Sequence, residues 1–264
     1  MIKPLLKNMI GLLGYELRKK QPRALQGYEL EEPALAAIQK IRPYTMLPEA
    51  RLIALYQQAS YCEAAGLHGD FVECGAWKGG SVALMALANM EQGAARRDIH
   101  LFDSFTDICE PDQAVDGARA IREVKAWGKG GGVGGKLTPV TGFYDVVGGA
   151  GTLEGNKQLL ETLVGYPRER LHYHAGWFQD TLPKDAPLIR DIAILRLDGD
   201  WYASTKICLE HLYDKVVNGG FVIIDDYGAY EGCRKAVDEF RRHRKITAYL
   251  HHIDGESRYW IKAK

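Results

Sequence analysis

The 264-residue sequence lacks several features that would each indicate a particular class of protein. It contains no run of about 18 apolar residues and so offers no transmembrane helix. Its 34 Lys+Arg balance 34 Asp+Glu, and this zero net charge gives no electrostatic reason to expect nucleic acid as a partner. The five cysteines are odd in number and show no Cys-x-x-Cys spacing. They argue against a disulfide framework and favour a reducing, cytoplasmic environment.

The first 32 residues form a basic, amphipathic extension. Residues 1–20 mix leucine, isoleucine and methionine with lysine and arginine, and they lack the small-residue cleavage site of a secretory signal. Two interpretations stay open: a helix in peripheral contact with the inner membrane, or a helix that packs on the domain or on a partner. We also expect a homo-oligomer, in which this helix could supply the contact.

Residues 33–264 alternate short apolar runs with stretches of helical period, a pattern typical of an α/β domain with a mostly parallel sheet. The strands are predicted near residues 70–75, 99–103, 171–174, 192–198 and 221–226. A closing hairpin is predicted around the turn at Asp254-Gly255. Helices are predicted over residues 80–92, 204–217 and 231–243, the second of them ending at the glycines 219–220.

Residues 106–156 interrupt this alternation. They hold two glycine-rich stretches, at 128–136 and 146–155, and they lack the GxxxxGK[ST] order of a phosphate-binding loop. A long insertion of this composition inside a compact domain is typical of a lid or a substrate-binding loop. We therefore predict a glycine-rich lid over the site.

A strand, a glycine turn and a helix follow one another from Phe71 to Ser81 (FVECGAWKGGS). Glycine at the carboxyl end of a strand allows a ligand close to the backbone, and the following helix offers free N–H groups. Asp103 ends the second predicted strand, where an acid can accept hydrogen bonds from ribose hydroxyls. These features predict a nucleoside cofactor without identifying it.

Two further strands each end in a pair of acids, in LDGD (197–200) and IIDD (223–226). Strand ends of a doubly wound sheet form the ligand crevice, so these four carboxylates should converge there. Oxygen ligands without Cys or His suit Mg²⁺ or Ca²⁺ better than zinc. One acid would remain free as a general base.

The stretches that carry these features resemble the macrocin O-methyltransferase (TylF/MycF-type) family of Mg²⁺-dependent sugar O-methyltransferases, over roughly residues 40–262. The resemblance rests on ECGAWKGGS, LFDSF, GWFQDTLP, LRLDGDWYAST and GGFVIIDDYGAYEGCRKAVDEF. It implies a Rossmann-like, seven-stranded class I fold that uses S-adenosylmethionine (SAM). The acceptor would be a glycosylated natural product, a nucleotide sugar or a surface polysaccharide.

The resemblance also implies roles for individual residues. Asp198, Asp225 and Asp226 would hold Mg²⁺, and Asp200 would be the general base. The residues expected at the cofactor are Glu73, Gly75 and Ser81 along its methionine part, Asp103, Ser104 and Phe105 at the ribose, Trp177 at the adenine, and Thr45 and Met46 as a cover.

Three other functions remain open on the sequence alone. A metal-dependent O-methyltransferase of a catechol-like diol would use the same acids. A nicotinamide-dependent oxidoreductase would use the glycine turn and Asp103, but the chain lacks GxGxxG. A non-catalytic module that binds Mg²⁺ or a nucleotide would keep the site without turnover.

Overall fold

The computed structural model describes residues 31–93 and 95–263. Its helices are α1 (Glu32–Ile41), α2 (Glu49–Ala64), α3 (Gly80–Gln92), α4 (Gly117–Trp127), α5 (Leu153–Lys157), α6 (Phe178–Asp185), α7 (Tyr202–Leu212) and α8 (Glu231–His243). Its strands are β1 (Asp70–Cys74), β2 (Ile99–Asp103), β3 (Leu171–Ala175), β4 (Ile192–Leu197), β5 (Val216–Ile224), β6 (His251–His252) and β7 (Arg258–Ile261).

The predictions for the N-terminal extension fall almost wholly outside the described residues. Residues 1–30 are not described, so membrane contact and oligomeric contact through residues 1–20 stay predictions. Within the described part, no helix is both long and apolar enough to cross a membrane. Residues Ala34–Lys264 form one compact unit, and the site lies in it.

The strands form one seven-stranded sheet in the order β3-β2-β1-β4-β5-β7-β6. The first five strands in this order run parallel, and β7 pairs antiparallel with both β5 and β6. This arrangement confirms the Rossmann-like fold and the closing hairpin, although β6 has only two residues. All six residues of β4 are buried, as expected for a central strand with helices on both faces.

The helix predicted over residues 204–217 is too long at its carboxyl end. Helix α7 ends at Leu212, a 3₁₀ turn follows, and β5 begins at Val216. Val216 pairs with Ile192 of β4, and the register shifts between Ile192 and Ile194. The apolar residues that seemed to continue the helix are therefore the start of a buried strand, and Gly219-Gly220 belong to that strand.

The insertion at residues 106–156 contains more regular structure than its glycine content predicts. Helix α4 buries Ala120 and Val124, and isolated bridges join Cys109 to Pro139 and Asp112 to Gly134. A 3₁₀ turn spans Phe143–Val147. Whether the segment moves as a lid stays a prediction.

Candidate active site

The carboxyl ends of the central strands are held in one row by backbone hydrogen bonds that continue past the strands. The amide of Gly75 donates to the carbonyl of Phe102, that of Asp198 to Cys74 and that of Asp225 to Leu197, all at 2.8–2.9 Å. Residues that are far apart in the sequence thus lie side by side. The acids predicted after β4 and β5 are brought to the same edge as the glycine turn after β1.

Gly75 is required where it stands. Its φ is +90°, and a Cβ at this position would lie 1.9 Å from the carbonyl oxygen of Asp198. Only glycine fits both the backbone angle and this contact. The glycine therefore sets how closely the turn after β1 approaches the acids after β4.

Three carboxylates form the acidic cluster of the site. One oxygen each of Asp198, Asp200 and Asp226 lie within 4.8 Å of one another. The buried Oδ2 of Asp226 has no hydrogen-bond partner among the described residues. Burial and the neighbouring carboxylates raise the pKa of both Asp200 and Asp226 well above the ordinary range. Such a set of close, under-compensated oxygens fits a hard divalent cation.

Asp225, the other predicted metal ligand, has a different environment. Its Oδ1 accepts from Nη2 of Arg196 and its Oδ2 from Nη1 of Arg51, both at 2.6 Å. The two guanidiniums orient this carboxylate, which stands next to the acidic cluster rather than within the group of three.

Arg196 is the penultimate residue of β4, near the carboxyl end of the strand, and is only 2% exposed. Besides Asp225 it contacts Asp198, at 3.0 Å, and Glu73 of β1. A buried cation needs such partners, because an unpaired charge in this environment is strongly unfavourable. Arg196 therefore links Glu73, just before the glycine turn after β1, to Asp198 and Asp225. The sequence signal for this contact is a single charged residue inside an otherwise apolar strand.

Arg51 of α2 joins three parts of the chain around the cleft. Its Nε donates to Asp254 and its Nη2 to Glu256, both at 2.7 Å, while Nη1 binds Asp225. Arg119 of α4 donates to Glu256 from the other side, at 2.7 Å. The β6–β7 turn, which the sequence predicts only as a hairpin, thus forms part of the site's rim.

A narrow cleft of about 510 Å³, counting space open to solvent, runs along the strand ends. Of the residues predicted to bind the cofactor, four line it: Gly75, Asp103, Ser104 and Trp177. Three backbone amides hold the carboxylate of Asp103 in place at this cleft. Its Oδ2 accepts from the amides of Ala76 and Trp77, at 2.7 and 3.0 Å, and its Oδ1 from that of Phe105, at 2.6 Å.

The other predicted cofactor residues lie around this cleft rather than in its lining. Glu73 is fully buried and accepts from Ser81 Oγ at 2.6 Å, and its Oε2 has no partner among the described residues. Burial raises the pKa of Glu73 to about 7. Phe105 is buried. Thr45 packs against the first residue of α3, since a Cβ on Gly80 would lie 2.8 Å from its Cβ.

A wider cleft of about 1550 Å³, again counting space open to solvent, adjoins the narrow one. Met46 lines the wider cleft, as do Asp225 and Asp226. Six residues border both clefts: Gly75, Trp77, Asp103, Tyr144, Asp198 and Asp200. The two spaces thus meet at the acids, which is the arrangement that a donor and an acceptor of one transferred group require.

Backbone strain is concentrated at the same place. Four non-glycine residues of the described part have a positive φ, and Trp77, Phe105 and Asp200 among them border or underlie the clefts. Such conformations cost about 1–3 kcal/mol each and persist where the surroundings enforce them. The left-handed backbone conformation of Asp200 helps to set the position of its carboxylate.

Together, the strand order, the glycine turn after β1, the acid at the end of β2 and the acids after β4 and β5 define a class I SAM-dependent O-methyltransferase. Solved structures agree. The O-methyltransferase NovP superposes with a TM-score of 0.67 at 32% identity, covering 84% of this chain and 83% of that one. The calicheamicin methyltransferase CalS11 shares the fold, with a TM-score of 0.54 at 18% identity, covering 95% of this chain and 100% of that one.

The chain belongs to the macrocin-O-methyltransferase (TylF) family, whose model matches residues 14–127 and 163–262. The match begins further toward the N-terminus than the resemblance noted above. A tetracenomycin-C 4'-O-methyltransferase of Streptomyces olivaceus is 34% identical, covering 82% of this chain and 75% of that protein. Demethyldecarbamoylnovobiocin O-methyltransferase of Streptomyces niveus is 33% identical, covering 84% of this chain and 76% of that protein. Residues 128–162, which include the second half of the insertion, lie outside the family match.

Proposed function

We propose that this enzyme transfers the methyl group of SAM to a sugar hydroxyl of a glycosylated small molecule, with Mg²⁺ at the acids and Asp200 as the general base. The observation that supports this most directly is the junction of the two clefts at Asp198 and Asp200. The name of one relative specifies a rhamnosyl tetracenomycin as acceptor. A sugar acceptor is therefore the natural assignment for the wider cleft.

The narrow cleft would take SAM. The carboxylate of Asp103 keeps one lone pair, on Oδ1, for a ribose hydroxyl, and Gly75 allows close approach to the backbone. Ser104 and Trp177 border the same space, where Ser104 would lie beside the ribose and Trp177 would contact the adenine. At the methionine end, the partnerless Oε2 of Glu73 would accept from the ammonium group.

Asp198, Asp225 and Asp226 would hold Mg²⁺. The fit rests on the three-carboxylate cluster, which shares Asp198 and Asp226 with this set, and on the partnerless Oδ2 of Asp226. Arg196 and Arg51 would hold the carboxylate of Asp225 in orientation. The chemistry that Mg²⁺ supplies at such a site is a lower pKa for an acceptor hydroxyl and a fixed direction of approach.

Asp200 would take the proton of that hydroxyl. Desolvation and the charges of Asp198 and Asp225 raise its pKa, which increases its affinity for a proton. As the acceptor oxygen forms its bond to the methyl carbon, the bond from that carbon to sulfur breaks and S-adenosylhomocysteine leaves. Trp77 and Tyr144, which border both clefts, would exclude water from the point of transfer.

The test is a methyl-transfer assay with radiolabelled SAM, a panel of glycosides and a catechol, each with Mg²⁺ or with EDTA. We expect Mg²⁺-dependent methylation of glycosides. Asp200→Asn should retain SAM binding and lose about two to four orders of magnitude in kcat. Asp214→Asn is the matched control, because Asp214 is exposed and lies just before β5, at the opposite end from the site. Methylation of the catechol alone, or full activity of Asp200→Asn, would contradict the proposal.

A further inference from the structure

Three histidines lie together on one face of the sheet, where β2 pairs with β3. His100 of β2 stands beside His172 of β3 in the register, and Phe102 stands beside His174. The ring of His100 stacks on that of His172, with centroids 4.5 Å apart, and the ring of His174 stacks on that of Phe102, at 4.0 Å. None of the three histidines lines either cleft, so the site described above does not account for them.

Two of these rings join two carboxylates in a continuous series of polar contacts. Nε2 of His100 lies 3.3 Å from Oδ2 of Asp70, the first residue of β1. Nδ1 of His174 lies 2.9 Å from Oδ2 of Asp185, the last residue of α6. The remaining ring nitrogens, Nδ1 of His100 and Nε2 of His174, face each other at 3.1 Å. We call these four residues the Asp–His–His–Asp chain.

The Asp–His–His–Asp chain has three contacts, and each of them needs one proton. An ionised carboxylate can only accept, so the ring nitrogens that face Asp70 and Asp185 must carry hydrogen. Two neutral imidazoles have then used their single N–H groups, and the nitrogens that face each other both present lone pairs. A hydrogen bond between the rings requires a third proton, which makes one ring an imidazolium. When the pair is neutral, one of the three contacts is therefore lost.

The surroundings of the pair determine the pH range in which this proton binds. Burial disfavours the charged ring and lowers the pKa of His174 below its ordinary value, although the carboxylate of Asp185 acts in the opposite direction. His172 would add a repulsive charge when it is protonated. Its own Nε2 lies 2.7 Å from Oδ1 of Asp98, which also accepts from Arg170 at 2.8 Å. We therefore expect the third proton to bind on the acid side of neutrality.

The Asp–His–His–Asp chain ends on the helix that borders the narrow cleft. Residues 176–179 lead from β3 into α6, and all four line that cleft. The contact between His174 and Asp185 ties the far end of α6 back to the strand from which these residues start. On the β2 side, Phe102 stacks on His174 and directly precedes Asp103, which also lines the cleft. The histidine pair thus lies behind two of the segments that form the cleft.

We infer that His100 and His174 bind one proton between them, and that this shared proton holds α6 against β2 and β3, so that the affinity for SAM rises when the pair becomes charged. The two histidines are thus positioning residues for the cofactor cleft. The inference rests on the proposed placement of SAM in the narrow cleft, and it does not involve the acceptor or Mg²⁺.

The experiment follows the histidine ring signals of the full chain by NMR between about pH 5 and pH 8. The signals of His100 and His174 should move together, because the pair takes up one proton, and a second proton should not bind in this range. Calorimetry with SAM at about pH 5.5 and pH 7.5 then measures the Kd of the parent and of each variant. Kd values are compared at the same pH, because Glu73, with a pKa of about 7, affects SAM binding in every variant.

His174→Gln replaces the titrating ring by a neutral amide at a partly exposed position. The ratio of its Kd to that of the parent should increase by about 2- to 10-fold from pH 7.5 to pH 5.5, the range for one hydrogen bond. His172→Gln is the matched control, because His172 lies on the same strand and contacts Asp98 instead. It should keep the pH dependence of the parent, with the midpoint at higher pH because a neighbouring cation is removed.

Independent titration of the two rings would overturn the inference, as would a Kd ratio for His174→Gln that is the same at both pH values. SAM that binds without shifting the indole signal of Trp177 would instead contradict the placement of SAM in the narrow cleft. The failure of the inference and that of the proposed function are thus distinguishable.

Discussion

Asp225 and Asp226 are adjacent in the sequence, yet the structure gives their carboxylates opposite surroundings. Asp225 bonds to a guanidinium through each oxygen, whereas Asp226 faces other carboxylates and has one buried oxygen without a partner. We predict that replacing each by asparagine has opposite effects on the stability of the metal-free protein.

The expected loss for Asp225→Asn follows from its two arginine contacts. Removing one partner of a buried ion pair costs about 3–5 kcal/mol. The lower end applies here, because Arg196 keeps Glu73 and Asp198 and Arg51 keeps Asp254 and Glu256. Burial raises the pKa of Asp225 in spite of the arginines. The loss therefore comes chiefly from an amide N–H that must face a guanidinium. We expect a decrease of about 3 kcal/mol in the free energy of unfolding.

Asp226→Asn removes a charge that the metal-free fold does not compensate. Two unit charges about 5 Å apart interact by about 3 kcal/mol at an effective dielectric constant of 20, and solvent at the partly exposed Asp198 reduces this. We expect an increase of about 1 kcal/mol near neutral pH. Since burial and the neighbouring carboxylates raise the folded-state pKa of Asp226 well above its ordinary range, its ionisation disfavours folding. The parent protein should therefore lose this part of its stability as the pH rises above about 4, and the variant should not.

Urea denaturation of the parent and the two variants, in EDTA and in saturating Mg²⁺, measures these differences. In Mg²⁺ at 100 times the Kd, the parent should gain about 2.7 kcal/mol, and Asp226→Asn should lose most of this gain. If Asp226→Asn destabilises the protein in EDTA as much as Asp225→Asn does, the assigned environments are wrong.

Three further predictions concern the supports of the site. Gly75→Ala should lower both SAM binding and thermal stability, because its Cβ would lie 1.9 Å from the carbonyl oxygen of Asp198; calorimetry would show this, and unchanged SAM affinity would contradict it. Arg51→Met should lower the free energy of unfolding by about 3 kcal/mol or more, since Arg51 has three buried or half-buried acid partners. Arg51→Lys should restore little, because a single ammonium cannot reproduce the fork of a guanidinium; full recovery in urea denaturation would argue against the three-way contact. Removal of residues 1–20 should reduce sedimentation with anionic vesicles, and unchanged sedimentation would exclude the membrane hypothesis.

The sequence predicts the sheet and the row of acids because both depend on local patterns. Continuous apolar runs mark buried parallel strands, and an acid that directly follows such a run must lie at the carboxyl edge of the sheet. The structure places Asp198 and Asp225 there, linked through the carbonyl of Leu197. The error at residues 213–217 has a local cause as well, since an apolar strand start directly after an amphipathic helix continues its pattern.

The ion pairs behind the acids could not be assigned in the same way. Arg51 and Asp225 are 174 residues apart, and no local pattern connects them. The presence of a charge inside β4 does predict that Arg196 has buried acidic partners. It does not say that these are Glu73, Asp198 and Asp225, because that choice depends on the register of three strands.

The insertion has a second role that its glycine content conceals. The two residues after Asp200 are each held by its first half: the Trp201 indole donates to the carbonyl of Cys109 at 2.9 Å, and the amide of Tyr202 donates to Asp116 Oδ1 at 2.7 Å. These bonds help to keep the left-handed backbone of Asp200 in place. The first half of the insertion thus helps to hold Asp200 in position, and it lies within the family match up to residue 127. A lid that moves while Asp200 stays in position would therefore have to be formed by the second half, from which Val146 and Val147 line the wider cleft.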